Sequence, residues 1–76
     1  MKTEYVKIIE NDPTKKARLV TAKRSENEYE IVEFYVPREY IDKGIGEELL
    51  EEVTSDADKE MITLHMNIDK ILRGKE

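Results

Sequence analysis

Residues 29–50 read YEIVEFYVPREYIDKGIGEELL, and the hydrophobic period changes inside this stretch. Its first part, 29–36, is rich in β-branched and aromatic residues, as in a β-strand, and Pro37 ends it. From Gly44 onward the apolar residues follow the spacing of a helix, at positions 45, 49, 50, 53 and 57. The stretch therefore predicts a strand over 29–36 and a helix over 44–57.

Alternation along the strand predicts which side chains share a face of the sheet. Successive side chains of a strand point to opposite faces, so we expect Val32, Phe34 and Val36 on one face. By the same rule we expect Ile31, Glu33 and Tyr35 on the other. Few polar residues interrupt this run, so we expect both faces to be partly covered.

Strand signals also precede and follow this stretch. Tyr5 to Ile9 predicts a first strand, which the turn residues 11–13 end, and Ala17 to Ala22 predicts a second. The short polar turn 25–28 predicts an antiparallel hairpin, and 61–66 predicts a fourth strand. Asn67 could cap a short last helix. The predicted class is α+β, a single domain over 1–76 with a small mixed sheet in the order β-β-β-α-β-α, and a right-handed parallel crossover over 29–66.

Composition limits the chemistry that the chain can perform. There is no cysteine and one histidine, which excludes thiolate metal sites, disulfides and a thiol nucleophile, and we expect no metal site. The net charge is −5 and lies wholly in residues 42–76, so we expect nucleic acid to be an improbable partner. No apolar run reaches the length of a membrane span, and we expect a cytoplasmic domain.

Two smaller features leave alternatives open. A basic cluster could contact an anion or form a solvated edge; its members are Lys15, Lys16, Arg18, Lys23 and Arg24. His65 could act as an acid or base, although a lone strand histidine is more often packed or exposed.

The glycine pair Gly44 and Gly46 opens the predicted helix, where the first backbone N–H groups lack partners and can bind an anion. A dinucleotide fold requires a third glycine, and a P-loop requires Gly-Lys-Ser/Thr; neither occurs here. The spacing over 36–50 instead resembles the acyl-CoA-binding signature of the GNAT acyltransferase superfamily. The positions that match are Val36, Glu39-Tyr40, Lys43-Gly44-Ile45-Gly46 and Leu49-Leu50. Ile41 stands where that signature has Gln or Arg, and Asp42 where it has a small residue.

The resemblance implies a site and an activity. It implies that main-chain amides bind the pyrophosphate of acetyl-CoA, at Asp42, Lys43, Gly44, Ile45, Gly46 and Glu47. It also implies that Phe34, Tyr35 and Val36 line the pantetheine arm and the thioester. On this reading the chain is an N-acetyltransferase that transfers an acetyl group to an unknown amine, with Glu33 as the candidate base. The alternative is a GNAT-like module that binds a partner without catalysis, and under either hypothesis a small sheet with free edges favours a homodimer.

Overall fold

The computed structural model describes residues 1–66 and contains one mixed sheet with one long helix. Strand β1 spans Glu4–Ile9, β2 Asp12–Ser25 and β3 Glu28–Tyr35. A 3-10 turn over Arg38–Tyr40 leads to helix α1 at Ile45–Lys59, and β4 follows at Thr63–Met66. The predicted α+β class with four strands and one main helix is confirmed; the predicted last helix at Asn67 lies outside the described residues.

The strands lie in the order β1-β2-β3-β4. The first two pairings are antiparallel, and β3 pairs with β4 in parallel through α1, as the predicted crossover requires. This parallel pairing runs from Glu28 opposite Thr63 only as far as Ile31 opposite Met66. The second half of β3 therefore has no neighbour on its β4 side among residues 1–66.

Strand β2 is far longer than predicted, because its turn with β1 lies earlier in the chain. Glu10 and Asn11 both have a φ of 56°, so these two residues form the turn and β2 begins at Asp12. The register shifts between Ile8, opposite Lys16, and Ile9, opposite Asp12. Pro13 lies in this irregular segment, where a missing N–H removes no ladder hydrogen bond.

A β-bulge in β3 corrects the predicted facing of that strand. The register runs from Thr21 opposite Ile31 to Val20 opposite Glu33, so Val32 is the extra residue. Ile31 is consequently buried in the core on the same side as Phe34 and Val36, rather than with Glu33 and Tyr35. Simple alternation was wrong here because one inserted residue shifts the phase of the strand.

The core lies between α1 and one face of the sheet. Leu49 and Val53 from α1 pack against a set of sheet residues that are almost completely buried; these are Tyr5, Ala17, Leu19, Ile31 and Val36. We call this face of the sheet the helix face. No element of residues 1–66 covers the opposite face, which we call the bare face; it carries Val6, Ile8, Arg18, Glu33 and Tyr35. No helix in the described part of the chain is long and apolar enough to cross a membrane.

Tyr5 joins the sheet to the helix through its hydroxyl, which donates a hydrogen bond of 2.7 Å to Asp56 Oδ2. Burial, and secondarily the Asp56 carboxylate, raises the pKa of Tyr5 above its ordinary value. The folded state therefore holds this proton at pH values where an unfolded tyrosine, with a pKa of about 10, loses it.

Alkaline pH should consequently destabilise the fold through Tyr5. The contribution of Tyr5 to the free energy of unfolding is complete below pH ~10. At higher pH it falls by up to about 1.4 kcal/mol per pH unit, which is the slope for one proton. Urea unfolding of the native chain and of Tyr5→Phe, measured on both sides of pH ~10, checks this. Tyr5→Phe should flatten the slope and Tyr35→Phe, on the bare face, should not; equal slopes in all three proteins would refute the prediction.

Candidate functional site

The amino-terminal end of α1 borders an apolar cavity of about 210 Å³. We call it the helix-side cavity, and its lining residues are Phe34, Val36, Ile41, Gly44, Gly46, Glu47 and Leu50. Strand β3 supplies one wall and the start of α1 supplies the other. Five predicted binding residues thus lie around one space: Phe34, Val36, Gly44, Gly46 and Glu47.

The two glycines have different structural roles. Gly44 caps the helix with a φ of 83°, a left-handed conformation that side chains rarely adopt. At Gly46 an added Cβ would lie 3.0 Å from Phe34 Cζ and 3.4 Å from Val36 Cγ2. Gly46 therefore lets the helix approach β3 closely, and this close approach shapes the wall of the cavity.

The first turn of α1 offers free backbone donors. The first helical hydrogen bond is that of the Glu48 amide to the Gly44 carbonyl, at 3.1 Å. The amides of residues 45–47 come before it and have no partner within the helix. The Lys43 amide, which the resemblance included, instead donates to the Tyr40 carbonyl at 3.2 Å. Fewer backbone amides are therefore free to bind an anion than the resemblance implied.

Acidic side chains surround these donors. Asp42 and Glu47 are exposed, and Glu47 lines the cavity itself. Glu48 is paired with Lys7 Nζ at 3.3 Å, which offsets its charge. The helix dipole and the free amides attract an anion. The carboxylates of Asp42 and Glu47, which form no ion pair within residues 1–66, repel it by up to about 1 kcal/mol each before salt screening.

Tyr40 ties the loop before the helix to the β1–β2 turn. Its hydroxyl interacts with the carboxylate of Glu10 and the ammonium of Lys15, which themselves form an ion pair at 3.6 Å. Burial, followed by Glu10, raises the pKa of Tyr40. We call this contact the Tyr40 tether. Tyr40 also packs against the core, and its chain neighbour Ile41 lines the helix-side cavity.

Glu33 and Tyr35 do not reach the helix-side cavity. They lie on the bare face and line a second cavity of about 360 Å³, the bare-face cavity, together with Thr14, Lys16 and Arg18. Arg18 Nη2 donates to Glu33 Oε2 at 2.7 Å, and Arg18 Nη1 lies 3.7 Å from Glu4 Oε2. The candidate base therefore has a cationic partner and faces away from the free amides.

The remaining predicted positions are exposed or peripheral. Asp42 and Lys43 lie on the surface of the loop, Ile45 is half-buried against the core, and His65 is exposed on β4. Among residues 1–66 no group of three or more His, Asp or Glu side chains converges to hold a metal ion.

Sequence reasoning missed several lining residues. Ile41 was the one apolar residue in an otherwise polar loop, and Leu50 was already part of the apolar pattern of the helix. Thr14 gave no signal. Lys16 and Arg18 belong to the predicted basic cluster, but they meet Glu33 and Tyr35 only through the pairing of β2 with β3. No protein-family model, curated protein or solved structure matches this chain, so the description of both cavities depends on its own residues alone.

Proposed function

We propose that the chain binds an acyl-CoA, with acetyl-CoA as the first candidate, and transfers the acyl group to an amine. One observation carries the proposal. Phe34, Val36 and Gly46 line one apolar cavity, and the free amides of 45–47 lie at its border. The strand–loop–helix arrangement and the parallel β4 also agree with a GNAT-like fold.

The residues fit such a ligand in part. Free amides at a helix start suit a pyrophosphate, and the side chains of Phe34, Val36 and Leu50 suit an acyl group and its thioester arm. The cavity is smaller than most ligand pockets, so the nucleotide would lie outside it. Asp42 and Glu47 oppose the phosphates by a repulsion that salt screens, and we therefore expect modest affinity at low salt.

The reaction is an ordinary acyl transfer. The neutral amine nitrogen forms a bond to the thioester carbonyl carbon, the carbon–sulfur bond breaks, and the proton that leaves nitrogen is finally taken by the thiolate. Backbone N–H groups near the carbonyl oxygen would stabilise the negative charge that develops there. The edge of β3 beyond Ile31, which has no strand beside it on its β4 side within residues 1–66, offers such groups.

Thermal unfolding with millimolar acetyl-CoA tests the binding step. At 100 times its Kd the ligand should stabilise the native state by about 2.7 kcal/mol. For a domain of this size that corresponds to a rise in Tm of about 10 °C or more. ATP at the same concentration is the control, since it carries phosphates without a thioester arm. An unchanged Tm together with no heat in calorimetry would overturn the proposal.

The second candidate is a GNAT-like module that binds a partner without catalysis. Two observations favour it: the ion pair of Glu33 with Arg18 occupies the candidate base, and the bare face offers a surface for another copy of the chain. The same sample distinguishes the two functions. Release of free thiol from acetyl-CoA in the presence of an amine supports transfer, whereas binding without thiol release supports the module.

A further inference from the structure

The bare-face cavity carries charges that are only partly paired. Lys16 makes no ion pair with any residue of 1–66, and its ammonium therefore remains available for a ligand. Glu33 accepts the hydrogen bond of Arg18 at Oε2, and its Oε1 accepts none from the described residues. The Tyr35 hydroxyl makes no hydrogen bond with the described residues. With respect to residues 1–66, the cavity thus offers an ammonium, a carboxylate oxygen and a hydroxyl without partners.

The total charge around this cavity is balanced. Lys16 and Arg18 contribute two positive charges, and Glu33 and Glu4 contribute two negative ones. A simple anion or a simple cation would leave one of the open groups without a partner. A ligand with both an ammonium and a carboxylate would satisfy Glu33 and Lys16 together.

The strand register sets how far apart the two ligand charges must be. Glu33 faces Val20, and Lys16 lies four residues from Val20 along β2. Four residues of a strand span about 13 Å between Cα atoms, which the long side chains of Lys16 and Glu33 shorten from both ends. The ammonium and the carboxylate are therefore separated by several bonds, as in an ω-amino acid rather than glycine.

The two cavities lie on opposite faces of β3. Phe34 lines the helix-side cavity, whereas its chain neighbours Glu33 and Tyr35 line the bare-face cavity. Because β4 pairs with β3 only through Ile31 within the described residues, the edge of β3 beside Phe34 is open. An amine held at Glu33 and a thioester held at Phe34 would therefore lie on opposite faces of β3, on either side of this open edge.

We propose that the bare-face cavity is the acceptor site and takes an amine that carries a carboxylate several bonds away. Glu33 receives the ammonium, Lys16 receives the carboxylate, and the Tyr35 hydroxyl contacts either group. The assignment as acceptor site rests on the proposed acyl transfer. Glu33 is thereby a residue that binds the acceptor. The ammonium gives one proton to water at the exposed bare face, and the neutral nitrogen then attacks the thioester carbonyl carbon.

An NMR titration of the full chain with three matched compounds tests the site: 5-aminopentanoate, pentylamine and pentanoate. We expect 5-aminopentanoate to shift the amide signals of Lys16, Arg18, Glu33 and Tyr35. Its affinity should exceed that of the other two compounds by about tenfold, the equivalent of 1.4 kcal/mol. Equal affinity for 5-aminopentanoate and pentylamine, or shifts confined to α1, would overturn the proposal.

Lys16→Gln should lower the affinity for 5-aminopentanoate about tenfold and leave that for pentylamine unchanged. Lys23→Gln is the matched control, because it removes the same charge from the opposite face of the same strand. An equal loss in both variants would mean that Lys16 acts only through net charge, and the site would be refuted. The titration contains no acetyl-CoA, so its failure refutes the amine site and leaves the thioester site standing. An unchanged Tm with acetyl-CoA refutes the acyl transfer and with it the acceptor role, but leaves the binding of 5-aminopentanoate standing.

Discussion

Leu49→Ala is expected to lower the free energy of unfolding by about 3 kcal/mol. Leu49 is completely buried and belongs to the core between α1 and the sheet, so its truncation removes apolar contacts and leaves a cavity. A 76-residue domain has a total stability of roughly 4–11 kcal/mol, and this one change removes a large part of it.

Leu50→Ala is the matched control, since it makes the same chemical change one position along the same helix. Leu50 is half-buried at the rim of the helix-side cavity, and we expect a loss of about 1 kcal/mol. Urea unfolding followed by circular dichroism measures both variants. Equal losses in Leu49→Ala and Leu50→Ala would contradict the assignment of Leu49 to the core.

Gly46→Glu is expected to lower the affinity for acetyl-CoA by at least about 100-fold, equivalent to 2.7 kcal/mol. A Cβ at this position meets Phe34 and Val36, so the side chain must turn into the helix-side cavity or move the helix away from β3. The new carboxylate also lies beside the free amides that would bind the pyrophosphate, where like charges repel.

Calorimetry measures this binding at a temperature where circular dichroism shows the variant to be folded. Ser55→Glu is the control: it adds the same charge to an exposed position of α1, and it should leave the affinity nearly unchanged. Unaltered binding by Gly46→Glu would mean that acetyl-CoA binds somewhere else. A comparable loss in Ser55→Glu would assign the effect to overall charge.

The main elements could be predicted because local chemistry and tertiary structure agree in them. Tyr29 to Val36 has strand composition, and the structure has a strand over Glu28–Tyr35. The spacing of Leu49, Val53 and Ala57 matches the buried side of α1. The structure extends the helix to Lys59, since polar residues continue a helical turn without an apolar signal. Lys23 and Ser25 lie in β2 for a similar reason, because pairing with β3 extends a strand into polar sequence.

The candidate site was predictable on one face of the sheet only. Phe34, Val36 and Gly46 follow from a continuous stretch of sequence, and they do meet. Glu33 and Tyr35 belong to the same stretch but lie on the other face of the sheet. There they meet Lys16, which becomes their neighbour only because β2 pairs with β3. The bulge at Val32 depends on the register with β2, which no short segment of sequence encodes.

The Tyr40 tether affects when conformational entropy is lost. Holding one residue in a single backbone conformation costs about 1–2 kcal/mol, and a mobile rim would meet that cost each time a ligand arrived. Here Tyr40 interacts with Glu10 and Lys15 and packs against the core, so the residue next to Ile41 is placed when the chain folds. A ligand that enters the helix-side cavity thus meets a preorganised surface, and more of its interaction energy is retained as affinity.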